Sequence, residues 1–152
     1  MSDGREPDFW DEARALLEAR PIGFLATADG DQPFVRAVTP AWQGIRAFIA
    51  TDPRTAKVKH ILRNPLVNLI HWGQDFRHVS LRARASLVTD PTLLDELWSA
   101  FPYDLNDYFD RAEEPSSGKA RYGVIGLDPF RIELWSLQSL ATGKPPQVWR
   151  SR

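Results

Sequence analysis

Two hydroxyl side chains and a lysine lie close together in the sequence, at Thr51, Thr55 and Lys57. They follow an apolar run of strand length, residues 45–50, and they open a helical segment that ends at Asn64-Pro65. The first turn of a helix has free N–H groups and a partial positive charge, and both favour an anion. The spacing therefore predicts a phosphate site where the strand passes into the helix.

Other chemistries are poorly supported by the residues. The three histidines, His60, His71 and His78, have neither His-x-His nor His-x₃-His spacing, so we expect no metal site. The chain has no cysteine, which excludes disulfides and thiol catalysis. It also lacks a Gly-x-Ser-x-Gly elbow and a glycine-rich dinucleotide loop.

Two charged clusters leave further alternatives open. The acidic residues of 104–114 could form a paired-carboxylate site, but their aromatic neighbours favour a solvated face or the rim of a dimer. Arg82 and Arg84 alternate on one face of a predicted strand, where they could contact nucleic acid. Two arginines do not make a basic patch, so no nucleic-acid partner is expected.

The size and composition of the chain limit its class. Its 152 residues suffice for one domain with a real core, and a net charge of −1 gives no general attraction to nucleic acid or anionic membranes. The longest apolar runs are far shorter than a membrane-spanning helix, and no signal peptide is recognised, so we expect a soluble cytoplasmic protein. Six tryptophans and eight phenylalanines suit a flat ligand or a subunit interface.

The first half of the chain is expected to contain a helix and three strands. Apolar residues from Phe9 to Leu17 recur at helical spacing, with Asp8 as the expected N-cap. The segments 22–28 and 34–39 read as a hairpin around the turn-forming residues 29–33. The run 45–50 is the third strand.

The second half is expected to contain two helices and four more strands. A helix over 55–63 precedes strands at 66–72 and 77–88, and Asp90-Pro91 begins the next helix. Two strands, 122–127 and 130–135, flank Asp128-Pro129, and the tail 137–152 is expected to be irregular. This order predicts a single α+β domain over 1–152, mainly an antiparallel β-barrel flanked by short helices.

Residues 9–136 resemble the pyridoxamine 5′-phosphate oxidase-like family, and more narrowly its general stress protein 26 branch. That branch shares the opening Phe-Trp helix and the late Glu-Leu-Trp. The similarity is carried by the order and spacing of six segments: Phe24-Leu-Ala-Thr-Ala-Asp-Gly30, Pro33-Phe-Val-Arg-Ala-Val38, Ala50-Thr-Asp-Pro-Arg-Thr-Ala-Lys-Val58, Asn64-Pro-Leu-Val-Asn-Leu69, Arg77-His-Val-Ser-Leu-Arg-Ala-Arg-Ala85 and Pro129-Phe-Arg-Ile-Glu-Leu-Trp135. The resemblance implies an FMN-binding split β-barrel that works as a homodimer, with flavin in the cleft between subunits.

The resemblance also implies roles for eight residues. Arg36 would meet the flavin phosphate or ribityl chain, and the backbone of Ala37 and Val38 would meet the isoalloxazine edge. The phosphate would lie beside Thr51, Thr55 and Lys57. His78 stands where many relatives have a flavin-contacting glutamine, and Trp135 matches a tryptophan that lies near the cofactor across the dimer interface.

Each of these residues also has an ordinary structural reading. Thr55 could be a simple N-cap and Lys57 a solvated helix residue. Arg36 could pair with an acid on a neighbouring strand, and His78 could be a half-buried strand residue. Trp135 is most simply part of a core or an interface.

The chain departs from the vitamin B6 oxidases at three places. Ala56 and Ala41 stand about where those enzymes have basic residues, and the segment after Trp135 lacks their Arg-x-His substrate signature. The synthesis of pyridoxal phosphate is therefore not expected.

Two functions of different class follow from the resemblance. The first is an FMN-dependent oxidoreductase, in which the flavin exchanges electrons with a small-molecule donor or acceptor, and for which no catalytic side chain is predicted. The second is a stress-related binder of FMN, FAD, F420 or haem that has no turnover of its own.

Overall fold

The protein forms a mainly antiparallel β structure with short helices, as the sequence predicts. A computed structural model describes residues 5–116 and 118–152. The helices are α1 (Trp10–Ala19), α2 (Ala56–Arg63), α3 (Pro91–Leu97) and α4 (Leu137–Thr142). The strands are β1 (Gly23–Asp29), β2 (Gln32–Val38), β3 (Ala41–Gln43), β4 (Arg46–Thr51), β5 (Leu66–Trp72), β6 (His78–Leu87), β7 (Phe109–Asp110), β8 (Ala120–Arg121), β9 (Gly123–Trp135) and β10 (Gln147–Arg150).

One sheet contains all the strands except β7 and β8. Its order is β2-β1-β5-β6-β9-β4-β3, and β10 pairs with the second half of β9. Strands β7 and β8 form a separate parallel pair next to the 3₁₀ turn Leu105–Asp107. No helix in the described part of the chain is long and apolar enough to cross a bilayer.

Two tight turns join the first four strands. Gly30, with φ +56°, closes the predicted β1–β2 hairpin, and Gly44, with φ +55°, closes the β3–β4 hairpin. Glycine suits both positions because positive φ angles carry no steric penalty there. Strand β3 was not predicted, since three residues are too few to show an alternating pattern.

Strand β9 replaces the two strands expected around Asp128-Pro129. It runs unbroken from Gly123 to Trp135, pairing with β6 along its length. The register shifts opposite Arg82 and Ala83, so Pro129 lies beside a bulge. A bulge tolerates the missing N–H of proline, and this is why the strand continues.

The tail expected to be irregular is ordered, and that expectation was wrong. Ser136 and Ser139 form a reciprocal capping box that starts α4. Gly143, with φ +71°, ends this helix. Strand β10 then pairs with β9, and Trp149 packs against the main core.

Helix starts follow the sequence rules unevenly. Asp90 accepts a hydrogen bond from the N–H of Thr92 (3.0 Å), as expected for the N-cap of α3. The expected cap Asp8 is wrong, because Phe9 is the N-cap of α1 and no side chain bonds the free N–H groups.

Two apolar clusters make up the core, and β4 lies between them. The main cluster joins α1 and α2 to the concave face of the sheet, and Ala47 and Ile49 belong to it. The second cluster lies under α3 and the segment 101–122, and it includes Phe48 and Ala50. Because alternate residues of β4 face different clusters, the strand reads as a continuous apolar run.

The opposite face of the sheet remains exposed on β2, β1 and β5. We call this the outer face. Paired residues on neighbouring strands share a face, so the exposed pairs define it. Its large exposed apolar residues are Phe24, Val35, Leu66 and Trp72.

Candidate functional site

The candidate site is built around two cations, Arg36 and Lys57. Arg36 lies on edge strand β2 and Lys57 in the first turn of α2. Desolvation is the larger cause that lowers the pKa of Lys57, and the positive charge of Arg36 is the second. Among the described residues neither forms an ion pair with a carboxylate within 4.0 Å. Such an uncompensated pair favours an anion.

Arg36 is held by uncharged groups. Its Nη1 donates to Thr27 Oγ1 at 2.6 Å and is 3.5 Å from the carbonyl of Leu25. Thr27 Oγ1 is also 3.2 Å from His60 Nδ1, and His60 Nε2 is 3.9 Å from Asp29. The sequence left open an acid partner for Arg36, and none lies within 4.0 Å among the residues that the structure describes. A buried threonine and a buried histidine of α2 orient the guanidinium instead.

Burial shapes the charge of both cations. Desolvation lowers the pKa of the half-buried Lys57 ammonium, and the charge of Arg36 lowers it further. Desolvation also lowers the pKa of Arg36, although a guanidinium stays charged at physiological pH. Lys59, two residues further along α2, is exposed. A ligand phosphate would therefore meet Lys57 in a setting where its charge is poorly solvated.

Thr51 and Thr55 lie together at the junction of β4 and α2. Their Oγ1 atoms are 3.3 Å apart, and Thr55 Oγ1 donates to the carbonyl of Asp52 at 3.0 Å. Thr55 occupies the N-cap position of α2, but its side chain does not cap the helix. The Thr55 hydroxyl bonds Asp52 and not a backbone N–H of α2, so the first N–H groups of α2 have no side-chain cap.

Asp52 is the carboxylate nearest in sequence to this junction, and it is already bound. Both of its oxygens accept from Arg54, at 2.9 and 2.7 Å, and it also accepts from the N–H of Arg121 at 3.1 Å. The hydrogen bond from Arg54 holds its pKa well below the usual range. Asp52 therefore belongs to a closed ion pair with Arg54.

Four neighbouring positions have uncharged side chains: Ala37, Val38, Ala41 and Ala56. Ala37 is exposed on the outer face opposite Phe24, whereas Val38 is buried in the main core. Only the backbone of Val38 is therefore available to a ligand. Ala41 is buried in the second cluster, and Ala56 is exposed at the start of α2.

His78 and Trp135 belong to a separate aromatic stack on the outer face. The ring of His78 lies between those of Trp72 and Trp135, with centroid distances of 5.5 and 5.6 Å and interplanar angles of 14° and 6°. Burial lowers the pKa of His78, and the charge of Glu133 partly opposes this. The site thus has a flat aromatic surface that is half exposed at Trp72.

Glu133 fixes one end of this stack. Its carboxylate accepts from Trp135 Nε1 at 2.8 Å and from Nε of Arg131. Burial favours the protonated acid, but hydrogen bonds from Arg131 and Trp135, with the charges of Arg131 and Arg82, hold the pKa of Glu133 below its usual value. Glu133 is therefore an ionised, nearly buried group.

Within one chain, the cationic site around Arg36 and the aromatic stack of His78 and Trp135 lie on opposite faces of the sheet. Arg36 is paired with the buried Leu25, so its side chain lies on the core side, whereas His78 is paired with the exposed Trp72. The structure thus places Thr51, Thr55 and Lys57 at the β4–α2 junction and Arg36 where its charge acts on Lys57, whereas His78 and Trp135 lie on the other face.

Sequence reasoning missed three residues of the cationic site. Thr27 and His60 orient Arg36, and Phe34 covers His60 with a ring distance of 4.8 Å. The alternation of side chains along β2 could have indicated them. Phe34 and Arg36 lie on the same face of β2, and Phe34 is directly opposite Thr27. Residues 5–116 and 118–152 contain no group of three His, Asp or Glu side chains placed to hold a metal.

Comparisons with known proteins agree with this architecture. A sequence profile described as pyridoxamine 5′-phosphate oxidase matches residues 9–136. General stress protein 26 of Bacillus subtilis (strain 168) is 25% identical over 124 residues, covering 78% of this chain and 82% of that protein.

Solved structures match the same fold. The general stress protein 26 of Bacillus anthracis str. Sterne gives a TM-score of 0.71 at 22% identity, over 92% of this chain and 96% of that chain. A pyridoxamine 5′-phosphate oxidase-related, FMN-binding protein of Nostoc punctiforme PCC 73102 gives 0.61 at 17% identity, over 91% and 83%.

Two further matches widen the range of cofactors among the structural relatives. They are described as an F420 reductase (TM-score 0.58, 27% identity, over 78% of this chain and 94% of that one) and as a haem-binding protein from Mycobacterium smegmatis (0.65, 16%, over 86% and 55%). The predicted split-barrel fold is confirmed by these structures, and the profile spans most of the sequence. The chain therefore belongs to the pyridoxamine 5′-phosphate oxidase-like family of FMN-binding split barrels.

Proposed function

We propose that this protein binds FMN and acts as an FMN-dependent oxidoreductase. The observation that carries the proposal is the pair Arg36 and Lys57, two partly buried cations without a carboxylate partner among the described residues. The phosphate of FMN would supply the missing negative charge and form charge-assisted hydrogen bonds to both. Family membership makes FMN the first choice of ligand.

The chain's own residues would bind and orient the cofactor. Lys57, Arg36 and the hydroxyls of Thr51 and Thr55 would hold the phosphate, and the backbone of Ala37 and Val38 would meet the ring edge. When bound, FMN supplies the electron or hydride transfer. The described residues of the cationic site contain no free carboxylate for proton transfer, so we assign no catalytic side chain.

We also propose that the working form is a homodimer. Because Arg36 and His78 lie on opposite faces of the sheet, a flavin held by Arg36 would reach the stack of His78 and Trp135 only if a second subunit supplied it. The exposed apolar side chains of the outer face are the surface on which that subunit would pack. A small-molecule donor or acceptor would then enter between the subunits.

A second candidate function is binding without turnover, with flavin, F420 or haem as the ligand. It is favoured by the likeness to the F420 reductase and to the haem-binding protein, because the fold accepts those groups as well. The two functions differ in one observation. An oxidoreductase reduces its bound flavin with NAD(P)H or reduced F420 and is reoxidised by a defined acceptor, and a binder does neither.

The test of the phosphate site compares two lysines of one helix. Lys57→Ala should weaken FMN binding about ten- to a hundredfold, because it removes a charge-assisted hydrogen bond of roughly 1.5–3 kcal/mol. Riboflavin has no phosphate and should be nearly unaffected. Lys59→Ala is the matched control and should leave both affinities within about twofold. Binding is measured by quenching of flavin fluorescence, and equal FMN affinity in the two variants would show that the site is misplaced.

Pyridoxine phosphate should not be a substrate. The segment after Trp135 forms α4 and contains no Arg-x-His signature, so it offers no matching cations for the phosphate of that substrate. We expect no pyridoxal phosphate above background when the FMN-loaded protein is incubated with pyridoxine or pyridoxamine phosphate. Product formation at ordinary enzymatic rates would contradict this expectation.

A further inference from the structure

Three arginines lie side by side on three neighbouring strands. Arg82 of β6 is directly opposite Arg131 of β9, and Arg131 is directly opposite Arg150 of β10. The preceding residue of β10, Trp149, packs against the main core, so these three arginine side chains share the other face of the sheet. Strands are about 4.8 Å apart, and the row therefore spans about 10 Å. We call it the arginine row.

The positive charge of the arginine row exceeds the negative charge of the carboxylates bound to it. Like charges directly opposite on paired strands are destabilising. One nearly buried carboxylate, Glu133, is bound to the row, through Nε of Arg131. In the part of the chain that the structure describes, Arg82 and Arg150 form no ion pair within 4.0 Å.

Two further observations bear on the ends of the row. The acidic residues Glu6 and Asp8 line the same cavity as Arg150, but neither is paired with it within 4.0 Å. Arg84, the next residue on the same face of β6, is opposite the carboxylate residue Asp128 and not another arginine, so it does not extend the row. The row itself therefore combines the three arginines Arg82, Arg131 and Arg150 with one carboxylate, Glu133.

We propose that the arginine row binds a small anion with two or more negative charges, of the phosphate class. A guanidinium presents a planar fork of donors that matches phosphate oxygens. Glu133 engages Arg131 through Nε, and the two terminal nitrogens of Arg131 have no hydrogen-bond partner among the described residues. A span of about 10 Å allows arginines from several strands to share the oxygens of a diphosphate group.

This site is distinct from the proposed flavin phosphate site. Arg36 lies on the core side of β2, whereas the row lies on the opposite face at β6, β9 and β10. The row lies on β6, β9 and β10, whereas Val35 and Phe24, in the surface proposed for dimer packing, lie on β2 and β1, and β5 separates the two. Glu133 joins the row to the aromatic stack, because it accepts from both Arg131 and Trp135, so the test is made with FMN bound and also without it.

The test uses inorganic pyrophosphate as the probe and calorimetry as the measurement. The protein is first saturated with FMN, so that pyrophosphate cannot bind at Lys57. We expect one pyrophosphate per chain, with an affinity that falls as ionic strength rises. Arg82→Gln and, separately, Arg150→Gln should each weaken binding at least tenfold. Arg84→Gln is the matched control and should stay within about twofold of the wild type.

Three results would overturn the proposal. They are the absence of saturable pyrophosphate binding, equal losses in Arg82→Gln and Arg84→Gln, and a loss in Lys57→Ala that Arg82→Gln does not share. Lys57→Ala without FMN keeps this test separate from the proposed function, because pyrophosphate binding must persist there even if the protein takes no flavin. Circular dichroism verifies that each variant is folded. If Arg82→Gln does not fold, Arg150→Gln, near the end of the chain, is used as the test variant in its place.

Discussion

The orientation of Arg36 depends on the hydroxyl of Thr27, which in turn lies beside the ring of His60. Arg36 donates to Thr27 Oγ1 at 2.6 Å, and the same oxygen lies 3.2 Å from His60 Nδ1. On its other side, His60 Nε2 is 3.9 Å from Asp29. Thr27 and His60 are thus positioning residues: they act on a ligand through Arg36.

Removing the Thr27 hydroxyl should weaken FMN binding without altering the fold. Thr27→Val keeps the shape of the side chain but leaves Nη1 of Arg36 without its 2.6 Å acceptor. We expect a loss of about threefold to tenfold, since a hydrogen bond contributes roughly 0.5–1.5 kcal/mol. Thr27→Ser should restore the affinity. Flavin fluorescence titration checks this, and an unchanged FMN affinity in Thr27→Val would contradict the role given to Thr27.

At the scale of elements, β1 and β5 approach each other closely around one buried histidine. A Cβ atom on Gly23 would lie 2.3 Å from Cε1 of His71, so only glycine fits there. The ring of His71 is fully buried and meets the edge of Trp42 at a centroid distance of 5.9 Å. Burial lowers the pKa of His71 to about 4.

This burial predicts acid sensitivity with a defined sign. The ordinary histidine pKa of about 6.5 holds in the unfolded chain, so below it the unfolded state takes up a proton more readily than the folded state. Stability should fall by about 3 kcal/mol between pH 6.5 and pH 4, because each pKa unit corresponds to about 1.4 kcal/mol. Urea unfolding at several pH values measures this. His71→Leu should flatten the slope in that range, and an unchanged slope would show that other groups cause it.

The sequence predicted most elements, and the failures have physical causes. Strand β5 was predicted with its observed bounds, because its alternating pattern of burial is regular. Asp128-Pro129 looked like a break because the bulge that accommodates Pro129 depends on the partner strand. The tail looked irregular because α4 and β10 are short, and β10 is stabilised by pairing with β9. Lys57 was predicted from its spacing and Arg36 from the family resemblance, whereas Thr27 and His60 meet Arg36 only through tertiary packing.

At the scale of the whole molecule, the exposed apolar residues are unevenly distributed. Val35 is 65% exposed and Phe24 44% exposed, and both lie on the outer face at the β2–β1 end of the sheet. Leu62 of α2 is equally exposed, at 67%, but lies on a helix that covers the other side of β1. Substitutions at Val35 and at Leu62 can therefore distinguish the proposed dimer interface from ordinary exposed surface.

Light scattering should report a particle of about twice the 17.3 kDa chain mass. Val35→Glu should convert it to a monomer, because a charge placed in an apolar interface has no partner. Leu62→Glu is the control of matched exposure and should remain dimeric. If Val35→Glu stays dimeric, the subunits pack elsewhere. A wild-type monomer that binds FMN tightly would contradict the inter-subunit site altogether.

The position of β9 in the chain has a consequence for synthesis on the ribosome. In the described residues, β4 has only its hairpin partner β3 and the distant β9 as sheet neighbours. At about 5–20 residues per second, the 71 residues between Thr51 and Gly123 take roughly 4–14 s to add. For that time the nascent β3–β4 hairpin exposes two apolar faces and an open strand edge. We expect the growing chain to require protection by chaperones until β9 emerges.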